Sequence, residues 1–514
     1  MAIKLGGLPA EEQTVPVVMM PASPRGHFDI AIVGSGIAGL TVAKELVATG
    51  KEVALIESGG FAPNVGLENL KQVETRGLPI KPESRNRNVG GSSLTWSGLL
   101  GALNQSDIDG VPGLHSGWPI SWADVYGEFD TWRNFHDLPP IRALTEHPTE
   151  LGSGWPSVQN LELHSFVLQF PPLNYQKLVR VVDGLSSSVQ LFQNSTVTSL
   201  KREKDGGWRV AGGEDNFEFT CRNLVIAAGA IESVRLLLRA RDDEKALRGL
   251  PALGTHFMNH PKGQVGTVKF SSKVSMRPLG GKGMSEFLAF RLPQSDVTAL
   301  GISNPNLRLV PVRDRDLAVR IIRIFLRQAR SVGLGRILEK FRQFRGRTRE
   351  HRVTKKGISG MSQTGEPQIK RATVVIHADT APSEFNYIEL GYRTDKLGSR
   401  IPMVVHSLQK ADILATELLL DRLETWLRDS GLGTLVRKNG RLEELLQIDA
   451  SHHLGGARMG RSVNDSVVDK NLEVHGATGL FVVGGAVFPT GGHANPTVTI
   501  LSIARRLGLH LRGK

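Results

Sequence analysis

The sequence predicts an α/β fold, α+β overall, with a discontinuous Rossmann-like domain and a second domain of mixed sheet and helices. Three observations predict it. A strand, a glycine turn, a helix and a second strand run in order from Phe28 to Glu57. A second buried-type strand, Leu224-Val225-Ile226-Ala227-Ala228-Gly229, leads into a helix. A third, Leu480 to Val483, is followed by a closing helix from Asn495 to Leu507.

Within the first unit, Phe28 to Val33 is a short, β-branched strand, and Ile37 to Ala48 has helical spacing. Glu52 to Glu57 completes the βαβ half of a doubly wound sheet. Residues 60–100 are rich in Gly and Asn and read as loop, and 101–185 as irregular. Leu191 to Arg222 alternates in strand fashion, and Asp412 to Leu427 is the clearest amphipathic helix of the middle. The expected division is an irregular lead-in over 1–25 and a nucleotide domain from 26–100, 186–260 and 446–514. The second domain comes from 101–185 and 261–445.

The 514 residues suffice for two or three domains, and 40% hydrophobic with 22% charged residues is an ordinary globular balance. A single cysteine, Cys221, excludes an intrachain disulfide and fits a reducing compartment. The N-terminal residues lack a signal-like apolar run, and no stretch of about 18 apolar residues appears, so the expected location is cytoplasmic. The net charge of +13 is concentrated: residues 312–356 hold fifteen Lys/Arg against four Asp/Glu, interleaved with Ile321, Phe325, Leu338 and Phe341. That segment suits a peripheral contact with anionic lipid or an acidic redox partner; a solvated face of two short helices is the alternative. No nucleic-acid module accompanies the charge, so nucleic acid is not an expected partner.

Gly34-x-Gly36-x-x-Gly39 lies between strand and helix. Gly34 permits the tight turn, Gly36 lets backbone approach a pyrophosphate, and Gly39 lets helix pack on strand. Ile37 and Ala38 sit at the helix start, and Glu57 at the strand end can accept from ribose hydroxyls. An NAD(P)-linked dehydrogenase would share these residues. Further blocks favour FAD: Glu57-Ser58-Gly59-Gly60, the loop Asn88-Val89-Gly90-Gly91-Ser92-Ser93-Leu94-Thr95-Trp96, and Ala228-Gly229-Ala230-Ile231-Glu232-Ser233. The loop offers N–H groups without bulky Cβ atoms, suited to a planar ring.

With Ser451-His452-His453-Leu454-Gly455 and Asn495-Pro496-Thr497 in the same order, the chain resembles the glucose–methanol–choline (GMC) flavin oxidoreductases from about Phe28 to Leu509. Met258-Asn259-His260-Pro261 also looks like a family element. The resemblance implies FAD, a two-domain fold, and oxidation of an alcohol carbon by hydride transfer. It places the base on His452 and the second catalytic position on Asn495, which could instead simply cap the last helix. It adds Val197 and Gly485 to the cofactor lining, with Pro496 and Thr497 at the flavin edge. Trp96, His453 and His493 are expected on the substrate side. Where relatives carry an Asp and a Ser before Phe488-Pro489, this chain has Gly484 and Ala486; Thr95 stands where some carry a flavin-linking histidine, so FAD is expected to be non-covalent.

The Gly-Gly-Ser-Ser-x-x-Trp loop and the Phe488 to Thr497 ending are most similar to the pyranose-oxidising branch. That implies a secondary hydroxyl of a sugar or glycoside going to a keto-sugar. Sterol, aliphatic or aryl alcohols, and a non-redox lyase that keeps FAD, stay open. Oxygen, a quinone and a redox protein are all candidate acceptors, and the basic segment favours a dehydrogenase.

Overall fold

The computed structural model describes residues 14–20, 25–151, 154–169, 172–182, 187–212, 217–275, 285–312 and 368–514. The basic segment 312–356 therefore lies outside the described residues from 313 onward.

The nucleotide-side sheet has nine strands. Across it run Val179–Val181, Val15–Met19, Val189–Phe192, Val53–Ile56, Arg25–Val33, Phe217–Ile226, Trp208–Gly212 and Ser199–Arg202. Leu480–Val482 pairs parallel with the far end of Phe217–Ile226. Its centre is parallel, with Ile30 opposite Val53 and Ala31 opposite Leu224. Parallel strands are covered on both faces, which explains why Ile30, Ile32, Leu55 and Val225 are apolar without alternation. The helix Ile37–Leu46 covers one face and packs against the closing helix Thr497–Arg512. A Cβ at Gly508 would lie 2.5 Å from the Glu45 Cβ, so glycine sets that close crossing.

The substrate-side sheet is antiparallel throughout, in the order Gly433–Arg437, Lys262–Ser275, Gln368–His377, Asn306–Pro311, Ser285–Arg291, Glu162–Leu168 and Leu99–Leu100. Leu307, Leu309, Val374 and Ile376 face the long helix Lys410–Asp429, which contributes Leu419, Leu423 and Trp426 to the same core. The period-2 pattern turns Asn306 and Arg308 to the other face. Fully burying one such aliphatic side chain stabilises by about 1.5–3 kcal/mol. A smaller sheet joins Tyr387–Thr394, Arg400–His406 and Glu74–Gly77.

The predicted strands and helices of the βαβ unit form within three residues of their expected ends, as does the helix from Lys410. Two segments depart from the expectation. Val15–Met19, within the lead-in read as irregular, is a strand whose parallel pairing with Val179–Val181 and Val189–Phe192 supplies what its short apolar run lacks locally. The stretch 101–185 is not simply irregular either: Glu162–Leu168 is an inner strand of the antiparallel sheet. Val179–Val181 lies on the nucleotide-side sheet rather than in the second domain.

Candidate active site

A long cleft enclosing about 1500 Å³ of atom-free space, its open mouth included, runs along the parallel strand ends. Gly34, Gly36, Ile37, Ala38, Glu57, Ser58, Gly91, Ser92, Val197, Ala228, Gly229, Gly485 and Pro496 line it. The predicted cofactor residues are thus brought together from five distant segments. Gly34 has φ +103°, and a Cβ there would stand 2.7 Å from the Ala227 carbonyl oxygen. Gly39 is the helix-packing glycine: its Cβ would lie 1.9 Å from the Gly34 oxygen. Gly90 lies behind the lining, where a Cβ would stand 2.6 Å from the Gln176 nitrogen. Asn88 is buried and donates to the carbonyls of Gly60 and Ala62, so it shapes the loop. Thr497 opens the closing helix.

The cleft fits a dinucleotide. Gly36 and Pro496 cap their helices without a side-chain hydrogen bond, leaving first-turn N–H groups to meet an anion or ring oxygen. Glu57 accepts from the Ser35 nitrogen at 2.9 Å, the Ser35 hydroxyl at 2.8 Å and the Gly59 nitrogen at 3.0 Å. Burial raises its pKa, and these donors offset part of the rise. Sequence reasoning missed the charged wall beyond it. Glu232 accepts from Arg85 at 2.7 Å and faces Arg87 at 3.0 Å, and Arg235 reaches Asp395 at 2.6 Å. Burial opposes ionisation of Glu232, but the three arginines hold its pKa down at about 2.

The catalytic candidates His452 and Asn495 sit beside the cleft, next to its lining residues Ser451, His453 and Pro496. His452 Nε2 lies 3.1 Å from Asn495 Nδ2, and His452 Nδ1 lies 2.9 Å from His260 Nδ1. Burial first, then the nearby His260 and Lys262, push the His452 pKa well below the ordinary histidine value. His452 is therefore neutral, with a lone pair on one ring nitrogen. His260 is held the same way, lowered to about 4 by burial. Its partner loop is fixed by Asn259, which donates to Asp449 at 2.9 Å. The Met258-Asn259-His260-Pro261 motif was visible in the sequence; the contact between His260 and His452 was not.

Asn495 is not among the side-chain caps of the closing helix. His453 lies on the cofactor cleft instead of the alcohol side, with Nε2 3.3 Å from Asp449 Oδ2. His493 is buried and meets His164 at 2.9 Å, in a layer with Phe166, instead of reaching His452. Trp96 is half-buried and spends its indole N–H on the Leu173 carbonyl at 2.9 Å. These three residues thus meet other partners: those of Trp96 and His493 come from far away in sequence, whereas His453 meets Asp449 four residues earlier. Among the described residues there is no group of three or more metal-ligating side chains, and no helix is long and apolar enough to cross a membrane.

A family model described as GMC oxidoreductase matches residues 379–504, and one described as pyridine nucleotide-disulphide oxidoreductase matches residues 28–251. The first match identifies the C-terminal part of the chain as a GMC oxidoreductase domain. The protein is an FAD-dependent oxidoreductase acting on CH–OH groups, and the second match reflects the shared nucleotide-binding half.

The chain is similar to 6'''-hydroxyparomomycin C oxidase of Streptomyces lividus, 22% identical over 96% of this chain and 93% of that protein. It is similar to paromamine 6'-oxidase of Streptomyces fradiae, 23% identical over 93% and 90%. Among solved structures, pyridoxine 4-oxidase from Mesorbium loti has a TM-score of 0.56 at 16% identity, covering 94% of this chain and 98% of that one. Formate oxidase of Aspergillus oryzae RIB40 has a TM-score of 0.55 at 14% identity, covering 96% and 99%. At these identities the structures speak for the fold alone.

Proposed function

We propose that the enzyme oxidises a secondary hydroxyl of a sugar or glycoside to a keto-sugar, with His452 as base. The carrying observation is the contact of 3.1 Å between His452 and Asn495, backed by His260. If His452 Nδ1–H donates to His260 Nδ1, the lone pair sits on Nε2, the atom beside Asn495. A substrate hydroxyl entering there gives its proton to Nε2, and the Asn495 amide N–H holds the oxygen as negative charge develops. FAD, when bound, would supply the two-electron acceptor for the hydride that leaves the same carbon. Gly34, Gly36, Glu57, Gly91, Gly229 and the helix starts at Ile37 and Thr497 would hold it, non-covalently: Thr95 is no flavin-linking nucleophile, and its hydroxyl accepts from Asn86 at 2.9 Å.

The dehydrogenase expectation rested on segment 312–356, outside the described residues. Two relatives are oxidases by name, which supports dioxygen as electron acceptor. The same names support a sugar-like alcohol. The test is anaerobic flavin bleaching near 450 nm, screened against sugars, glycosides, sterols and aryl alcohols, followed by admission of air. Bleaching by a sugar and rapid recovery of the yellow form support the reading. Bleaching only by sterols or aryl alcohols removes the sugar, and no bleaching by any alcohol removes the oxidation.

A further inference from the structure

The alcohol-facing side of the antiparallel sheet carries positive charge that the reaction does not use. Arg308 lies on Asn306–Pro311, whose Leu307 and Leu309 point into the core under the long helix, so Arg308 projects to the opposite face. Directly paired residues share a face: Asn306 is opposite His377, and His377 is opposite Lys262. Lys262, His377, Asn306 and Arg308 therefore form one patch. The Arg308 guanidinium lies over the Phe166 ring at 4.5 Å, and its Nε donates to Asn306 Oδ1 at 3.2 Å. Asn306 is itself tied to the His493 carbonyl at 3.3 Å.

The guanidinium is thus oriented from below and from one side, while its two terminal nitrogens have no hydrogen-bond partner among the described residues. No carboxylate pairs with it there. Its pKa is lowered to about 10 by burial alone, and its charge helps depress His452, His260 and His377. Asp449, the acid within reach of Lys262, is already engaged by Asn259, the Ser451 and Lys81 nitrogens, and His453. A half-buried arginine held flat, with a donor fork that no described residue occupies, is built to receive a planar or tetrahedral oxyanion. The positive patch also disfavours a cationic substrate, since like charge there is uncompensated.

We propose that Arg308, with Lys262 beside it, binds an anionic group on the alcohol substrate, a carboxylate or a phosphate, while His452 takes the hydroxyl proton. The inference rests on the reading of the His452 face as the alcohol site and names the charge class that this site selects.

The test uses the FAD-loaded enzyme and four sugars that differ in charge: glucose, glucuronate, glucose 6-phosphate and glucosamine. Anaerobic titration reads binding from the oxidised-flavin difference spectrum and then flavin reduction; acetate and inorganic phosphate serve as competitors. Glucuronate or glucose 6-phosphate should bind at least about tenfold tighter than glucose, and glucosamine weakest, since hydrogen bonds to charged groups are the strong ones. Whichever of the two binds tighter, with its matching competitor, distinguishes carboxylate from phosphate. Arg308→Gln should lose at least about tenfold of that preference and Arg308→Lys should keep part of it. Charge-independent binding, tighter binding of glucosamine, or an unchanged preference in Arg308→Gln overturns the proposal. If the Gln variant fails to hold FAD, the wild-type charge series decides alone. Anion binding without bleaching by any alcohol would sink the oxidation reading and leave the anion site standing; bleaching without charge preference would do the reverse.

Discussion

The cofactor cleft and the alcohol-facing side are made of different materials. Where the glycine fingerprint meets it, the cleft is shaped by backbone, at Gly34, Gly36, Gly91, Gly229 and two uncapped helix starts, with the Arg85, Arg87, Glu232 and Arg235 wall beyond. The alcohol side is made of side chains, with His452, Asn495, His260 and Arg308 drawn from four separate segments. A backbone site fails when a Cβ is added, and it does so by losing shape. A side-chain site fails when a functional group is removed, and it can do so with the shape intact. That difference orders the tests.

The largest effect should come from Gly39→Ala, whose new Cβ would collide with the Gly34 carbonyl at 1.9 Å. We expect flavin content to fall below about a tenth, with a stability loss of about 1–3 kcal/mol or more, read by absorbance and thermal unfolding. Gly36→Ala sharpens the contrast, since its Cβ meets nothing closer than 4.0 Å. It should keep its melting temperature and lose FAD affinity, because the methyl faces the cleft.

On the other side, Asn495→Ala should retain flavin and slow its reduction by about 10- to 100-fold, measured in stopped flow. An equal loss of flavin content would make Asn495 part of the cleft and break the comparison.

The smallest and most distributed effect is on acid stability. Burial lowers His136 to about 3 and both His260 and His406 to about 4, from an ordinary value of 6.5. The unfolded chain then binds protons that the native state refuses, so their contribution is complete above about pH 6.5 and is lost as pH falls from there towards 4. Asp379, raised from 3.8 to about 7 by burial, acts in the opposite sense across that same pH range and offsets part of the loss. The melting temperature should therefore drop between pH 6.5 and 5; a flat profile there would show that these imidazoles are not held neutral.

The same division explains what was legible in the sequence. Gly34, Gly36 and Gly39 declare themselves because a turn and a helix start demand glycine at fixed local spacing. Their strand and helix appear almost where expected. His452 and Asn495 were legible through their motifs, and the structure sets them 3.1 Å apart. His453, His493 and Trp96 meet Asp449, His164 and the Leu173 carbonyl, contacts that proximity in sequence to a motif could not reveal, since it says nothing about which way a side chain turns. Arg308 gave no signal at all: its facing follows from a strand register with Gln368–His377 across a long intervening segment. The strand Val15–Met19 was hidden for the same reason, since its partners are more than 150 residues away.

The central claim is that His452 is the base of an alcohol oxidation beside this cleft, whose lining includes its neighbours Ser451 and His453. The direct measurement is single-turnover flavin reduction under anaerobic conditions for wild type and His452→Ala, at matched flavin content. The account predicts normal FAD binding and a rate at least about a hundredfold slower in the variant. Reduction of His452→Ala at a near-wild-type rate would contradict it.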